Sequence, residues 1–453
     1  MVKGRSTAAA LSFVLGCVAA CGGSGDAGGS AEDAPDGSIG PTPDRSEAGE
    51  LEAGTPHSAD GGAVAWSLPH HLQVVSAPAI AADGRIVVHG RAPASAPSGT
   101  PSLLVVSSSG ALLWSADTAP TTLPAAPASV AGTEVLVAAS GTSAEYDAKL
   151  HRYSLATGSV LPAVDLLGAS SNGVAIDEAG DVLTAADDLQ RIHAGAVAWT
   201  YQMVGTGLTG SNPAIAPDGT IYVAGRGLAD HYIHAVDPNG TGKWKQELTD
   251  ATVSPIAVDE ASRVYVVDGS GWLWVFESSG SLAWKFELPS KNSGGGVIVG
   301  PDHTVYVGTL SRLPKDFTGE YMYAVREAAA GKGELVWSVN VGRGFIPTTP
   351  ALSAGGTLYV TDFCRELFAL DAATGRVKWS FLAPGLPDDD TCAPMSSPTI
   401  GEGGTVYVSV ESNGESHPAS LFALDGDGTG PAVGTWSMEG ADPSHSHRLA
   451  KKP

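Results

Sequence analysis

Thr357-Leu-Tyr-Val360, followed by Leu367-Phe-Ala-Leu-Asp371, Thr374-Gly375 and Lys378-Trp379, decides the fold, because its pieces recur along the chain. The first piece returns as Arg85-Ile-Val-Val88, Glu134-Val-Leu-Val137, Asp181-Val-Leu-Thr184 and Thr220-Ile-Tyr-Val223. It returns again as Arg263-Val-Tyr-Val266, Thr304-Val-Tyr-Val307 and Thr405-Val-Tyr-Val408. With the quoted copy, that makes eight.

Working outward, most copies follow a tight-turn signal such as Asp83-Gly84, Asp218-Gly219, Gly355-Gly356 or Gly403-Gly404. These pairs supply the positive φ angles of short antiparallel hairpins. Before the turn lies a small-residue strand, as in Ser211-Asn-Pro-Ala-Ile215 or Ser397-Pro-Thr-Ile400, suited to a crowded axis. After each copy comes a third strand, as in Leu273-Trp-Val-Phe276 or Leu421-Phe-Ala-Leu424, and a glycine turn. A fourth strand then opens on Trp114, Trp199, Trp244, Trp284, Trp337, Trp379 or Trp436. Four short strands per repeat of 40–55 residues make a propeller blade. The expected fold is all-β: a single β-propeller of four-stranded antiparallel blades over residues 63–439, eight by the repeat count, with seven as the alternative. Trp66 precedes the first copy, so either the Trp66 or the Trp436 strand is surplus, and one terminal strand closes the ring. The tryptophans at one repeat position read as inter-blade packing, from which Trp272 and Trp274 depart.

The run from Ala369 to Trp379, preceded by Thr357-Leu-Tyr-Val360, resembles the repeat of the quinoprotein (PQQ-type) propellers. Among lipoproteins it is similar to the BamB-type component of the outer-membrane β-barrel assembly machinery; among enzymes, to PQQ-dependent alcohol dehydrogenases. The likeness implies the fold and leaves function open. The enzyme reading implies PQQ and calcium, and those enzymes carry two adjacent cysteines against the quinone. No two cysteines are adjacent here.

The N-terminus sets the compartment. Lys3 and Arg5 precede an apolar run from about Ala8 to Ala20, too short to span a bilayer, as in a secretory signal. Val18-Ala-Ala-Cys21 resembles a lipobox, which implies a signal peptide over 1–20 and a lipidated Cys21; Val14-Leu-Gly-Cys17 is a poorer copy. Residues 21–62 are rich in Gly, Ala, Ser, Pro and acidic side chains, the composition of a disordered tether with a reach of roughly 35 Å. Residues 440–453 are polar and read as a frayed tail. The net charge of −23 excludes a nucleic-acid binder and adhesion to an anionic membrane surface.

No catalytic constellation emerges. Asp425-Gly-Asp427-Gly-Thr429-Gly has the look of a calcium loop, but Trp436 stands where an EF-hand places Glu, so a turn is expected. His231 and His234 point to opposite faces of a strand. His445 and His447 lie in the polar tail.

Loop length supplies the functional clue. Extra residues fall between strands two and three, as in Thr309–Gly319, and between blades, as in Leu382–Met395. Both connections open on one face, and insertions gathered on one face mark a binding surface. Cys364 and Cys392 fall on that face, and an exported chain is expected to pair them. The expected function is a non-catalytic, lipid-anchored scaffold in the bacterial envelope, at the outer membrane. Its long-loop face carries Lys315, Asp316, Phe317, Phe363, Asp388, Asp389 and Asp390. The expected partner is an envelope or secreted protein, with the barrel assembly machinery as one candidate; cofactors are none. The alternatives are a PQQ- and calcium-dependent dehydrogenase and a glycan-binding surface lipoprotein.

Overall fold

The computed structural model describes residues 61–451 except 74, 93–98, 119–126, 140–147, 167–172, 186–187, 204–210, 226–230, 253, 290–294, 310–321, 330, 342–345, 385–392 and 412–418. The signal, Cys21 and most of the expected tether therefore lie outside the described residues.

Eight four-stranded antiparallel sheets follow one another, and the described residues contain no helix. The blades span Ala79–Ala116, Ser129–Asp165, Val174–Tyr201, Ala214–Glu247, Ala257–Glu287, Val297–Val339, Ala351–Leu382, and Thr399–Asp425 completed by Val64–His70. The count is eight. The innermost strands are two or three residues long and carry small side chains such as Ala79, Ala214, Ala257, Ala351 and Thr399, all fully buried. The second strands, the Val-Tyr-Val copies, bury both faces because each blade is sandwiched between two others. Only the outer strands alternate exposed and part-buried residues.

Trp66, and not Trp436, closes the ring. Val64–His70 pairs antiparallel with Ala419–Asp425 and supplies the last blade's fourth strand. Each outer tryptophan then grips the next blade. Trp66, Trp114, Trp199, Trp244 and Trp337 donate indole N–H bonds of 2.9–3.1 Å to carbonyls of the following blade's third-to-fourth turn. The rings cover the turn glycines: a Cβ on Gly110, Gly158, Gly240, Gly280 or Gly375 would come within 2.7–2.8 Å of an indole. Trp379 finds its cover in Gly61 and Gly62 at the chain's entry into the propeller. The packing role expected for these residues is the one they have.

Two faces follow from the meander. Turns joining strands one to two and three to four share the hairpin face; connections two to three and the inter-blade links share the loop face. Val64–His70 starts on the hairpin face, where Gly62 N–H donates to Asp425 O at 2.7 Å.

The C-terminal segment departs from the expected frayed tail. After Asp425 the edge of the last blade is already taken, so the chain turns inward on the hairpin face. Asp427 anchors the turn, accepting from Ser353 and Thr429, while its own N–H donates to Tyr359 Oη at 2.9 Å. Residues 435–449 then run round the axis. Val299 and Leu352 N–H groups donate to Trp436 and Ser437 carbonyls, and Ile80, Val130, Ile176 and Ile215 donate to Pro443, Ser444, Ser446 and His447. Trp436, Met438, His445 and His447 are at most 1% exposed. The polar composition that suggested fraying is satisfied internally in part: Asp442 Oδ1 accepts from Ser444 N and Oγ and from Ser446 N.

Candidate functional site

The loop face was built from the second-to-third connections and the inter-blade links. Of the residues assigned to it, Lys315, Asp316, Phe317, Asp388, Asp389, Asp390 and Cys392 lie outside the described residues. Phe363 and Cys364 are described. They sit in a four-residue turn, Asp362–Arg365, and not in a long loop. Asp362 is fully buried and its Oδ1 accepts Cys364 N at 2.9 Å and Glu366 N at 2.8 Å, which holds the turn. Phe363 is half-buried, and Cys364 is buried and disulfide-bonded.

The fifth blade repeats this device. Asp268 Oδ1 accepts from Ser270 N at 3.1 Å and Trp272 N at 3.0 Å. Its Oδ2 accepts from Thr249 N at 3.1 Å and the Trp274 indole at 2.9 Å. Burial raises the Asp268 carboxyl above its ordinary value even so, because desolvation outweighs those four donors.

This turn delivers two aromatic rings to the rim of the loop face. Trp272 and Trp274 lie 6.2 Å apart, and the exposed Lys285 ammonium sits 4.4 Å from each ring centroid. Trp274 stacks on Phe276, which meets Trp244 of the preceding blade, so the pair lines the crevice between blades four and five. In blade four, Tyr232 holds the repeat position of Trp272 and Lys245 that of Lys285, with the ammonium 4.6 Å from the ring centroid. His231 stacks on Tyr232 and pairs with Glu247 at 3.0 Å. Cation–π contacts of this kind hold a lysine over a ring that still offers surface to a partner. The sequence signalled the pair only through the off-register tryptophans, and the lysines were missed.

The hairpin face has a cleft of about 160 Å³ between blades five and six, lined by Arg263, Tyr265, Trp284, Asp302, His303, Arg326 and Glu327. Arg263 spends its guanidinium on Asp259 (2.8 Å), Glu327 (3.4 Å) and His303 (3.2 Å). That network holds two neighbouring blades together. Among the described residues no group of three or more His, Cys, Asp or Glu could hold a metal ion.

Comparison with known proteins agrees with the architecture. The family model described as outer membrane protein assembly factor BamB matches residues 229–312 and 321–450. The crystal structure of BamB from Moraxella catarrhalis superposes with a TM-score of 0.56 and 17% identity, covering 80% of this chain and 99% of that one. No curated protein matches the chain in sequence. Eight blades, the tryptophan staples and these two matches together make the chain a PQQ-like β-propeller whose fold is similar to that of BamB.

Proposed function

We propose that the chain is a non-catalytic, lipid-anchored scaffold of the outer membrane that engages a protein partner through its loop face. The matched relatives bear the name of an outer-membrane assembly factor, and a barrel-assembly component is the partner this reading favours. One observation carries the choice of face. The chain enters the propeller at Gly62 on the hairpin face, which leaves the loop face clear of the point of entry. That face also offers Trp272, Trp274 and Tyr232, residue types that dominate binding hot spots, and the turn held by Asp268 carries the two tryptophans without ordering cost. Lys315, Asp316, Phe317, Phe363 and Asp388–Asp390 complete the proposed surface, with Cys364 paired to Cys392 beside them. The reading assigns no quinone or calcium.

Photo-crosslinkers placed at Trp272 and Phe363, with one at Val160 on the opposite face as control, test this in the native envelope. Recovery of a barrel-assembly protein from the first two sites alone is expected. Replacing Asp388, Asp389 and Asp390 by Lys should weaken that capture and leave Tm unchanged. Equal capture from Val160, or capture indifferent to the charge reversal, overturns the assignment.

A further inference from the structure

We propose that the axial ring on the hairpin face is a binding site for an unfolded polypeptide segment, occupied in cis by residues 435–449 and vacated when His445 and His447 take up protons. The inference concerns the face opposite the partner surface and does not rest on that reading.

The site is a ladder of main-chain donors. Ile80, Val130, Ile176, Ile215, Val299 and Leu352, one from each of six innermost strands, point N–H groups at carbonyls of the segment at 2.6–2.9 Å. Leu449 N–H and Ala432 N–H return bonds to Ile215 O and Leu352 O. Recognition through main-chain atoms accepts many sequences, as when a strand adds to a sheet edge. Selectivity comes from pockets for alternate side chains, here filled by Trp436 and Met438 at 1% and 0% exposure. The ligand class is therefore an unfolded segment able to bend at turns, as this one does at Met438–Ala441 and Asp442–His445, with large apolar residues two apart.

The present occupant fits the ladder better than it fits its own side chains. Seven non-glycine residues have positive φ among the described residues, and three of them, Ala441, His445 and His447, belong to this segment. Such conformations persist only where the surroundings impose them. Among the described residues six buried side-chain polar atoms lack a hydrogen-bond partner, and four of them are here: Ser437 Oγ, both ring nitrogens of His445 and Arg448 Nε. A segment evolved purely as core would have those groups satisfied or replaced.

The histidines supply the release. His447 lies against blades three and four, where Asn212 Oδ1 is taken by Gly173 N–H at 2.7 Å, so the Asn212 amide N–H donates to His447 Nε2 at 3.3 Å. Protonation would set donor against donor. Trp436 faces the same ring at 6.3 Å, and burial with the neighbouring His445 pulls His447 down to about 3. Burial also lowers His445, opposed by Glu439 and Asp442 of its own segment and the Ala128 backbone of blade two. Both rings are neutral in place and charged once released into mildly acidic water.

A protease site inserted between Val433 and Gly434 tests the proposal in the full chain, since Val433 is 83% exposed and Gly434 has open space around it. After cleavage, a fluorescent peptide of residues 434–453 is the probe. Saturable one-to-one uptake is expected, with exchange at least tenfold faster at pH 5 than at pH 7.5. The H445Q/H447Q chain should lose that ratio, and a peptide with Trp436 and Met438 replaced by Asp should not compete. A cleaved chain that stays folded and takes up no probe at either pH overturns the site. So does unfolding on cleavage, and equal exchange at both pH values overturns the trigger. In the uncleaved chain, amide exchange of residues 435–449, corrected for intrinsic rates, should accelerate at pH 5 more than that of the second strands; a uniform change counts against release.

Discussion

Trp66 and Tyr407, 341 positions apart, face each other at 5.9 Å between ring centroids and 50° between planes. Blades four, six and seven hold the same pair: Tyr222–Trp244 at 5.6 Å, Tyr306–Trp337 at 5.9 Å and Tyr359–Trp379 at 5.8 Å. The strand contributed by the N-terminus thus reproduces an ordinary blade interior and leaves no irregular joint. It also grips blade one, because the Trp66 ring lies over Gly110, whose φ is +87°. Gly110→Ala meets both an unfavourable φ and an indole 2.7 Å from the new Cβ. A loss of about 1–3 kcal/mol is expected from such overpacking, measured by denaturant unfolding. Gly132→Ala, also at positive φ but with nothing near its Cβ, should cost less; equal losses would remove the staple from the explanation.

Acid should weaken the fold through its buried histidines. His70 Nδ1 accepts the Leu72 N–H at 3.1 Å, and Nε2 faces Ser409 Oγ at 2.8 Å, so the neutral ring is the one that fits. Burial and the adjacent His71 pull His70 to about 3, and His447 falls to the same range. With folded values below the unfolded 6.5, their contribution stands in full above about pH 6.5 and is lost as pH falls toward 3. At pH 5 each should account for about 2 kcal/mol of lost stability. Calorimetry of the His70→Asn chain should show a shallower fall of Tm between pH 7 and 5; an unchanged slope would assign the acid sensitivity elsewhere.

Proteolytic mapping without reduction should recover Cys364 joined to Cys392, the pairing proposed for the loop face. Closing about 28 residues is worth roughly 3.5 kcal/mol in the chain-entropy model. Reduction is therefore expected to lower Tm while circular dichroism keeps its β signature. A free Cys392 in the digest would refute the pairing.

Trp272 and Trp274 should separate binding from stability. Trp274→Ala removes the stack on Phe276 and one donor to the buried Asp268, and should cost about 3–5 kcal/mol. Trp272→Ala removes a part-exposed ring and should cost under about 1 kcal/mol while reducing crosslinking to the partner. A Trp272→Ala chain with full capture would take that ring out of the interface.

The blades were legible because one physical requirement repeats: a sandwiched second strand must be apolar on both faces, and Val-Tyr-Val meets it in copy after copy. The surplus strand was not. Gly434-Thr-Trp436-Ser has the same local form as Gly242-Lys-Trp244-Lys, and nothing within either stretch tells an outer strand from an axial one. What separates them is competition for an edge that Val64–His70 already holds, a relation across the whole chain. Polar residues such as Ser444, His445 and Ser446 mislead in the same way: they usually lie outside, and here Asp442 and the inner strands meet most of their polar groups. At the candidate site, Cys364 and Phe363 fell on the expected face, but Lys245 and Lys285 became visible only once paired strands set them over aromatic rings.

The strand that completes the last blade is also the first part of the propeller to be synthesised. If the chain is exported from its N-terminus, Val64–His70 must wait, edge unpaired, while seven blades form behind it. Its partners at Ala419–Asp425 arrive last. Loop closure over that distance adds only slowly to the entropic cost, but contacts so far apart in sequence make folding slow. The waiting strand is then the moment of greatest exposure to mispairing, and a chaperone that shields residues 64–70 would act on the step that commits the ring.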